Sequence, residues 1–310
     1  MSSERIPRPR VSILGAGAMG ALFAYYLAAE NDVTLVDVRG DVVDTINRHG
    51  VQIDEQSFRK VLATCDPSRA FSTNYLFVFV KAPFTLGAVR PFAGQLNPAT
   101  PIVSLQNGLG NEEAIKAALG PNVPLVVGIT NEGATAVGHG RSRRLSVGTT
   151  VVGSAGASPD TVRAIATLLQ RAGLECSTAY DIRPHLWGKL IANAAINPVA
   201  ALLDAKNSAI ASDPNAAELA RSLALESAAV AKALRINLPF GDPWEYVREV
   251  IASSVDGRNS MTIDLAARMK TEIDHINGAI VSAGRRAGVP TPYNEAILRL
   301  VKAKESIPRE

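Results

Sequence analysis

The sequence predicts an α/β domain followed by an all-helical domain. Short apolar runs alternate with helix-forming stretches over residues 11–178, the first run opens into a glycine turn, and beyond Asp181 the alternation stops. The remainder reads as helix almost throughout. Domains are therefore expected at residues 10–180 and 181–305, with no flexible linker between them.

Residues 11–37 read as strand, glycine turn, helix and strand. Gly15-Ala16-Gly17-Ala18-Met19-Gly20 fits G-x-G-x-x-G between an apolar run at 11–14 and a helix former at 18–29. A β-branched run at 33–36 then ends at Asp37. Gly15 permits the tight turn, Gly17 lets the backbone approach a pyrophosphate, and Gly20 lets helix and strands pack closely. Phosphates would meet unpaired N–H groups at the positive end of the helix. The first domain is thus expected to be a Rossmann-like dinucleotide-binding domain. Asp37 lies 22 positions after Gly15, close to the ~20 expected of a ribose ligand. A rival reading takes the 19 uncharged residues 11–29, behind Arg5, Arg8 and Arg10, as a signal peptide or membrane span. Three glycines in six residues and the following strand count against it.

The next elements follow the same grammar. A helix is expected at 41–48, capped by Asp41 and ended by Gly50, then a short hairpin from 51–53 and 60–63. Residues 75–80 form an unbroken apolar run, as in a strand buried on both faces of a parallel sheet. Residues 101–105 and 123–129 repeat that pattern, with a helix at 111–119, and 145–152 holds one or two more strands. A helix at 158–171, with Ser158 as cap and Pro159 at its first position, leads to a last strand at 174–178. Helices are then expected at 184–203, 214–234, 242–254, 260–287 and 291–304.

Composition narrows the function. The 310 residues suffice for two domains of ordinary size. Hydrophobic content of 47% and charged content of 20% describe a soluble globular protein, expected in the cytoplasm without membrane attachment. A net charge of +3 suits an anionic substrate or cofactor but is too diffuse for nucleic acid. Cys65 and Cys176, the only cysteines, lack metal spacing and read as small buried hydrophobes in a reducing cytosol; no metal site is expected. The first ten residues, with Pro7 and Pro9, look like a loose tail.

Several residues could carry chemistry. Lys81 ends the run at 75–80, where ligands collect beyond strand carboxyl ends, although a solvated lysine would look the same. Asn107, in Gln106-Asn107-Gly108, follows another buried strand and could aim an amide at a ligand, or simply make a turn. Lys189, Asn193 and Asn197 recur at i, i+4 and i+8 on a helix that is otherwise apolar. The stripe could be a solvent edge, but asparagine is a poor helix former and implies another job. Pro198 should free the carbonyl of Ala194 and kink the helix beside Asn197. On the expected helix at 260–287, Leu265, Met269, Ile273, Ile276 and Ile280 form an apolar stripe. Glu272 sits at its edge, as a site carboxylate or a rim salt bridge. Ser260 would lie ~18 Å from Glu272 on a straight helix, so both can line one pocket only if Ser260 belongs to a loop.

Together these motifs resemble the ketopantoate reductases (2-dehydropantoate 2-reductases) over about residues 11–302. The resemblance rests on GAGAMG, on VKAP around Lys81, on SLQNGLGNEE around Asn107, on LWGKLIANAAINP, and on RNSMTIDLAARMKTEIDHING. It implies NADPH-dependent reduction of 2-dehydropantoate to pantoate, a step toward pantothenate and coenzyme A. It implies cofactor contacts at Gly15, Ala16, Gly17, Ala18, Met19, Gly20, Lys81 and Asn107, a catalytic Lys189, and substrate binding by Asn193, Asn197, Asn207 and Ser260. Glu272 takes a catalytic and cofactor-contacting place. Lys189 suits the chemistry, since an alkoxide developing at a 2-oxo carbon needs a proton donor, and partial desolvation would lower the lysine's pKa. Asp37 is what an NAD(H) site uses and would repel a 2′-phosphate, while Arg39 and Lys81 argue for NADP(H), the cofactor expected here. A related dehydrogenase of another 2-oxo or 3-hydroxy acid stays open, as does a non-catalytic dinucleotide sensor. An intact Lys189, Asn193 and Glu272 set counts against the sensor. The partner is a small 2-oxo acid, and a homodimer is left open.

Overall fold

The computed structural model describes residues 8–253 and 257–307. Most of the expected loose tail, and Ser254 at the end of an expected helix, lie outside the described residues. The chain forms two compact units, one from Met1–Gln106 with Asn111–Ile182, the other from Asn107–Gly110 with Arg183–Glu310.

In the first unit the strands are β1 (Arg10–Leu14), β2 (Asp32–Val36), β3 (Gln52–Ile53), β4 (Leu62–Thr64), β5 (Tyr75–Val78), β6 (Ile102–Ser104), β7 (Leu125–Thr130), β8 (Gly133–Gly138), β9 (Arg141–Ser146), β10 (Thr150–Ser154) and β11 (Cys176–Thr178). Helices α1 (Ala18–Leu27), α2 (Gly40–His49), α3 (Thr85–Val89), α4 (Asn111–Leu119) and α5 (Pro159–Arg171) are interspersed. Eight strands form one sheet in the order β11-β10-β7-β6-β5-β1-β2-β4. β1 pairs in parallel with β2 on one side and β5 on the other, so the winding reverses at β1, where open α/β sheets bind ligands. Val11, Ile13, Leu76, Phe77 and Val78 are fully buried, which is why β1 and β5 read as continuous apolar runs. β10 runs antiparallel to β7, so the sheet is mixed.

The glycine turn is fixed by sterics. Gly15 has φ +98°, and a Cβ there would lie 2.9 Å from the backbone nitrogen of Val80. A Cβ at Gly20 would overlap the carbonyl oxygen of Gly15. At ten residues α1 is far short of the ~20 a membrane span needs. Arg183–Leu203 is long and apolar enough to span, but 72% of its most apolar window is buried inside the protein.

Three expectations in this unit are corrected. Residues 51–53 and 60–63 do not pair as a hairpin: β3 joins β9 in a separate sheet ordered β3-β9-β8, and β4 adds to β2. The two segments share only the isolated bridge Val51–Arg59. Asp41 does not cap α2; Arg39 occupies that position without a side-chain cap, and Asp41 lies in the first turn. Cys176 is buried, its thiol pushed up to about 11 by desolvation, whereas Cys65 is exposed just after the edge strand β4. Ser158 caps α5 as expected, accepting from the Thr161 N–H.

The second unit holds α6 (Arg183–Leu203), α7 (Ser208–Ser212), α8 (Pro214–Ala233), α9 (Pro243–Ser253), α10 (Ser260–Ala266), α11 (Asn277–Ala287) and α12 (Pro292–Ser306). No strand occurs among its described residues. The expected helix at 260–287 is broken. α10 ends in a Schellman-type turn: Met269 N–H bonds the Asp264 carbonyl at 2.8 Å, Arg268 N–H the Leu265 carbonyl at 3.3 Å, and Arg268 takes φ +55°. The chain resumes as a 3-10 turn at Ile273–His275 before α11. Met269 is consequently exposed, not part of an apolar stripe.

The steric account of the turn predicts that Gly20→Ala destabilises the protein by about 2–3 kcal/mol or more, because backbone cannot yield to the new methyl. Gly17→Ala, whose Cβ meets nothing within 4 Å, should cost about 1 kcal/mol or less. Urea unfolding of both variants checks the contrast.

Candidate active site

The first unit offers an anion cradle. α1 begins at Ala18 with Gly17 as its cap, and it has no side-chain cap and no acid in its first turn, which leaves its positive dipole end suited to an anion. The open space beside Gly17 is what a pyrophosphate at this helix end requires. Gly15, Ala16, Gly17, Ala18, Met19 and Gly20 lie together here, so the residues fit a dinucleotide.

Asp37 is tied into the same turn. Its Oδ2 accepts the Ala16 N–H at 2.8 Å, and the carboxylate accepts Arg39 N–H at 3.0 Å, Nε at 2.9 Å and Nη2 at 2.9 Å. Burial alone would raise the Asp37 carboxyl, but bonds from the Arg39 side chain and the Ala16 and Arg39 N–H groups hold it below the usual carboxylate range. Arg39 is held above its ordinary value chiefly by its hydrogen bond to Asp37, and its side chain remains half-exposed. Asp37 therefore braces the glycine turn and carries its own cation. Lys81 caps the 3-10 turn Ala82–Phe84 directly beyond β5, whose exit abuts Gly15. Gln106 fixes that exit, its Nε2 donating to the Val80 carbonyl at 2.6 Å and Thr85 Oγ1 at 2.8 Å.

The second unit gathers Asn107, Lys189 and Glu272. The break after α10 delivers Glu272 to the head of the 3-10 turn, where it is buried; it is neither a helix-face residue nor a rim carboxylate. Asn107 Nδ2 donates to Glu272 Oε2 at 3.3 Å. Segment 107–110 is pinned beside it: Leu109 N–H bonds the His275 carbonyl at 2.9 Å, and His275 Nδ1 pairs with the Leu109 carbonyl at 3.0 Å. Gly108 has φ +79°, and a Cβ there would overlap the His275 carbonyl oxygen, so the turn needs glycine. Lys189, half-buried on α6, has its pKa pulled down to about 8 by desolvation of its amine, partly offset by the Glu272 charge.

Asn193 and Asn197 follow Lys189 on α6, the first half-buried and the second buried. Asn207 precedes α7, and its Oδ1 accepts from Asn259 Nδ2 at 2.9 Å. Asn259 caps α10, its Oδ1 accepting the Thr262 N–H. Ser260 is the exposed first residue of α10, not a loop residue; the break that frees it from Glu272 lies after Ala266. Sequence reasoning missed Gln106, Asn259 and His275, and also α7. An Asn-Ser pair before an apolar run was a readable cap signal for Asn259. Nothing local marked His275. Among the described residues no cluster of His, Cys, Asp and Glu is placed to hold a metal ion.

Residues 11–157 match the family model "Ketopantoate reductase PanE/ApbA", and residues 181–305 match its C-terminal counterpart. A 2-dehydropantoate 2-reductase of Pyrobaculum aerophilum is 36% identical, covering 95% of this chain and 98% of that protein. The crystal structure of a PanE/ApbA family ketopantoate reductase from Ralstonia eutropha JMP134 superposes with a TM-score of 0.87 at 28% identity, over 96% of this chain and 98% of that one. D-mandelate dehydrogenase in complex with NADH superposes with a TM-score of 0.84 at 27% identity, with the same coverage. With both units matched and a relative aligned from end to end, the chain belongs to the ketopantoate reductase family.

Proposed function

We propose that this protein reduces 2-dehydropantoate to pantoate with NADPH, in the cytoplasmic route to pantothenate and coenzyme A. The first unit, about residues 10–180 without 107–110, is the dinucleotide-binding domain, and residues 181–305 belong to the substrate domain. The observation that carries this reading is a desolvated lysine grouped with one buried carboxylate and its asparagine, in a chain of this family.

When bound, the nicotinamide supplies the hydride. Lys189 donates the proton to the oxygen of the 2-oxo group as that carbon becomes an alcohol, and its charge stabilises the oxyanion beforehand. With its pKa near 8, Lys189 is still mostly protonated at pH 7 yet gives up its proton far more readily than a solvated lysine. Glu272 keeps the ammonium from losing its proton altogether, and Asn107 orients the carboxylate. Asn193, Asn197, Asn207 and Ser260 bind the substrate's carboxylate and hydroxyl without adding charge. Gly15 to Gly20 hold the pyrophosphate at α1, while Arg39 and Lys81 meet the remaining phosphate charge. The pairing with Arg39 neutralises Asp37, which supports NADP(H) despite an acid at this position.

A second reading has a specific basis. Asp37 and the kinship with an NADH-bound D-mandelate dehydrogenase favour NADH and a different 2-oxo acid. NADPH- and NADH-oxidation assays with 2-dehydropantoate, pyruvate, 2-oxoglutarate, oxaloacetate and phenylglyoxylate separate the two. The highest kcat/KM is expected with 2-dehydropantoate, and a higher value with any other acid transfers the assignment to that substrate.

Lys189→Ala should lower kcat by ~10²-fold or more while leaving NADPH binding nearly unchanged and the fold intact. Stopped-flow turnover, a fluorescence titration and a thermal melt check the three parts. Arg39→Ala should raise KM for NADPH well above its effect on NADH, read from steady-state kinetics with each cofactor.

A further inference from the structure

Pro198 lies inside α6 and has no N–H, so the Ala194 carbonyl lacks its helical donor, and the proline ring crowds that oxygen. Asn277, the fully buried first residue of α11, supplies the donor: its Nδ2 lies 3.0 Å from the Ala194 oxygen. The other Nδ2 proton goes to Asn294 Oδ1 at 3.0 Å. Asn294, equally buried, donates in turn to the Leu223 carbonyl at 3.3 Å and to Glu226 at 2.8 Å. Glu226 also accepts the N–H groups of Tyr293 and Asn294, each at 2.9 Å. One point on α6 is thus bonded to α11 and linked through Asn277 and Asn294 to α12 and α8. With two acceptors facing it, the Ala194 carbonyl and Asn294 Oδ1, this end of the Asn277 amide is the Nδ2 end.

That point is placed between functional side chains. Ala194 follows Asn193 and precedes Asn197 on the helix that carries Lys189. Asn277 closes the short segment that begins at Glu272, whose carbonyl accepts His275 N–H at 2.9 Å and Ile276 N–H at 3.0 Å. The Asn277–Ala194 bond therefore locks the Glu272 turn against the Lys189 helix where the ladder is interrupted.

We propose that Asn277 is a positioning residue, which sets the local geometry of α6 at Ala194 and with it the placement of Lys189, Asn193 and Asn197 against Glu272. The inference rests on the reductase reading given above.

The test compares Asn277→Leu, Pro198→Ala and the double variant by thermal melt and by kcat and KM with 2-dehydropantoate and NADPH. Asn277→Leu should lower the melting temperature and reduce kcat/KM by ~10- to 100-fold, the scale of a small misplacement of reacting groups. Pro198→Ala restores an N–H to residue 198 that can bond Ala194. The double variant should thus regain part of the lost thermal stability, Asn294 Oδ1 still lacking its donor, while kcat/KM stays at least about tenfold below wild type. Recovery of kcat/KM together with the melting temperature would overturn the proposal, as would wild-type kcat/KM in folded Asn277→Leu. If Asn277→Leu does not fold, Asn277→Ser and the double variant carry the same comparison. Wild type is assayed in parallel: no NADPH oxidation with 2-dehydropantoate refutes the reductase reading, whereas wild-type turnover with normal Asn277→Leu kinetics refutes only this inference.

Discussion

A lysine amine drawn out of water loses the solvation that favours its charge, and a nearby carboxylate returns part of it. The balance at Lys189 leaves desolvation ahead of Glu272, with a pKa near 8 rather than the usual 10.5. That balance has a stability consequence. Between about pH 8 and 10.5 the unfolded chain binds more protons than the folded one, so Lys189 makes stability rise with pH across that window, and its cost is complete below it. The fold carries this cost where the proposed reaction needs a proton that leaves readily.

Much of the second unit is arranged to keep Glu272 where that balance requires it. A continuous helix from Ser260 to Ala287 would carry Glu272 on its surface. The Schellman-type turn at Arg268 instead releases the chain, and the 3-10 turn presents Glu272 to segment 107–110. Leu109 and His275 exchange bonds across that junction, and Gly108 admits the close approach. In the first unit Asp37 has a comparable part, bracing the glycine turn through Ala16 while Arg39 offsets its charge.

Legibility in the sequence followed the range of the interactions. The α1 turn, the buried strands β1 and β5, and the helices α6, α8 and α12 are set by local pattern, and their residues were readable as such. The carbonyl freed by Pro198 was readable too, but not its acceptance of Asn277, which lies 83 residues away. The break after α10 was hidden because Arg268 adopts positive φ without a glycine to announce it. β3 and β4 misled because each pairs with a strand distant in sequence, while β8, Gly133–Gly138, is too small and weakly apolar to signal a strand. Lys189, Asn193 and Asn197 were visible by spacing, whereas the pairing of Asn107 with Glu272 spans 165 residues.

The Lys189–Glu272 balance is measured most directly by a site-resolved NMR titration of the Lys189 ε-methylene, in the full chain and in Glu272→Gln. A midpoint near 8 is expected in the wild type. Removing the Glu272 charge should move it lower still, because desolvation then acts with less opposition. A wild-type midpoint near 10.5, or one that Glu272→Gln leaves unmoved, would contradict the account.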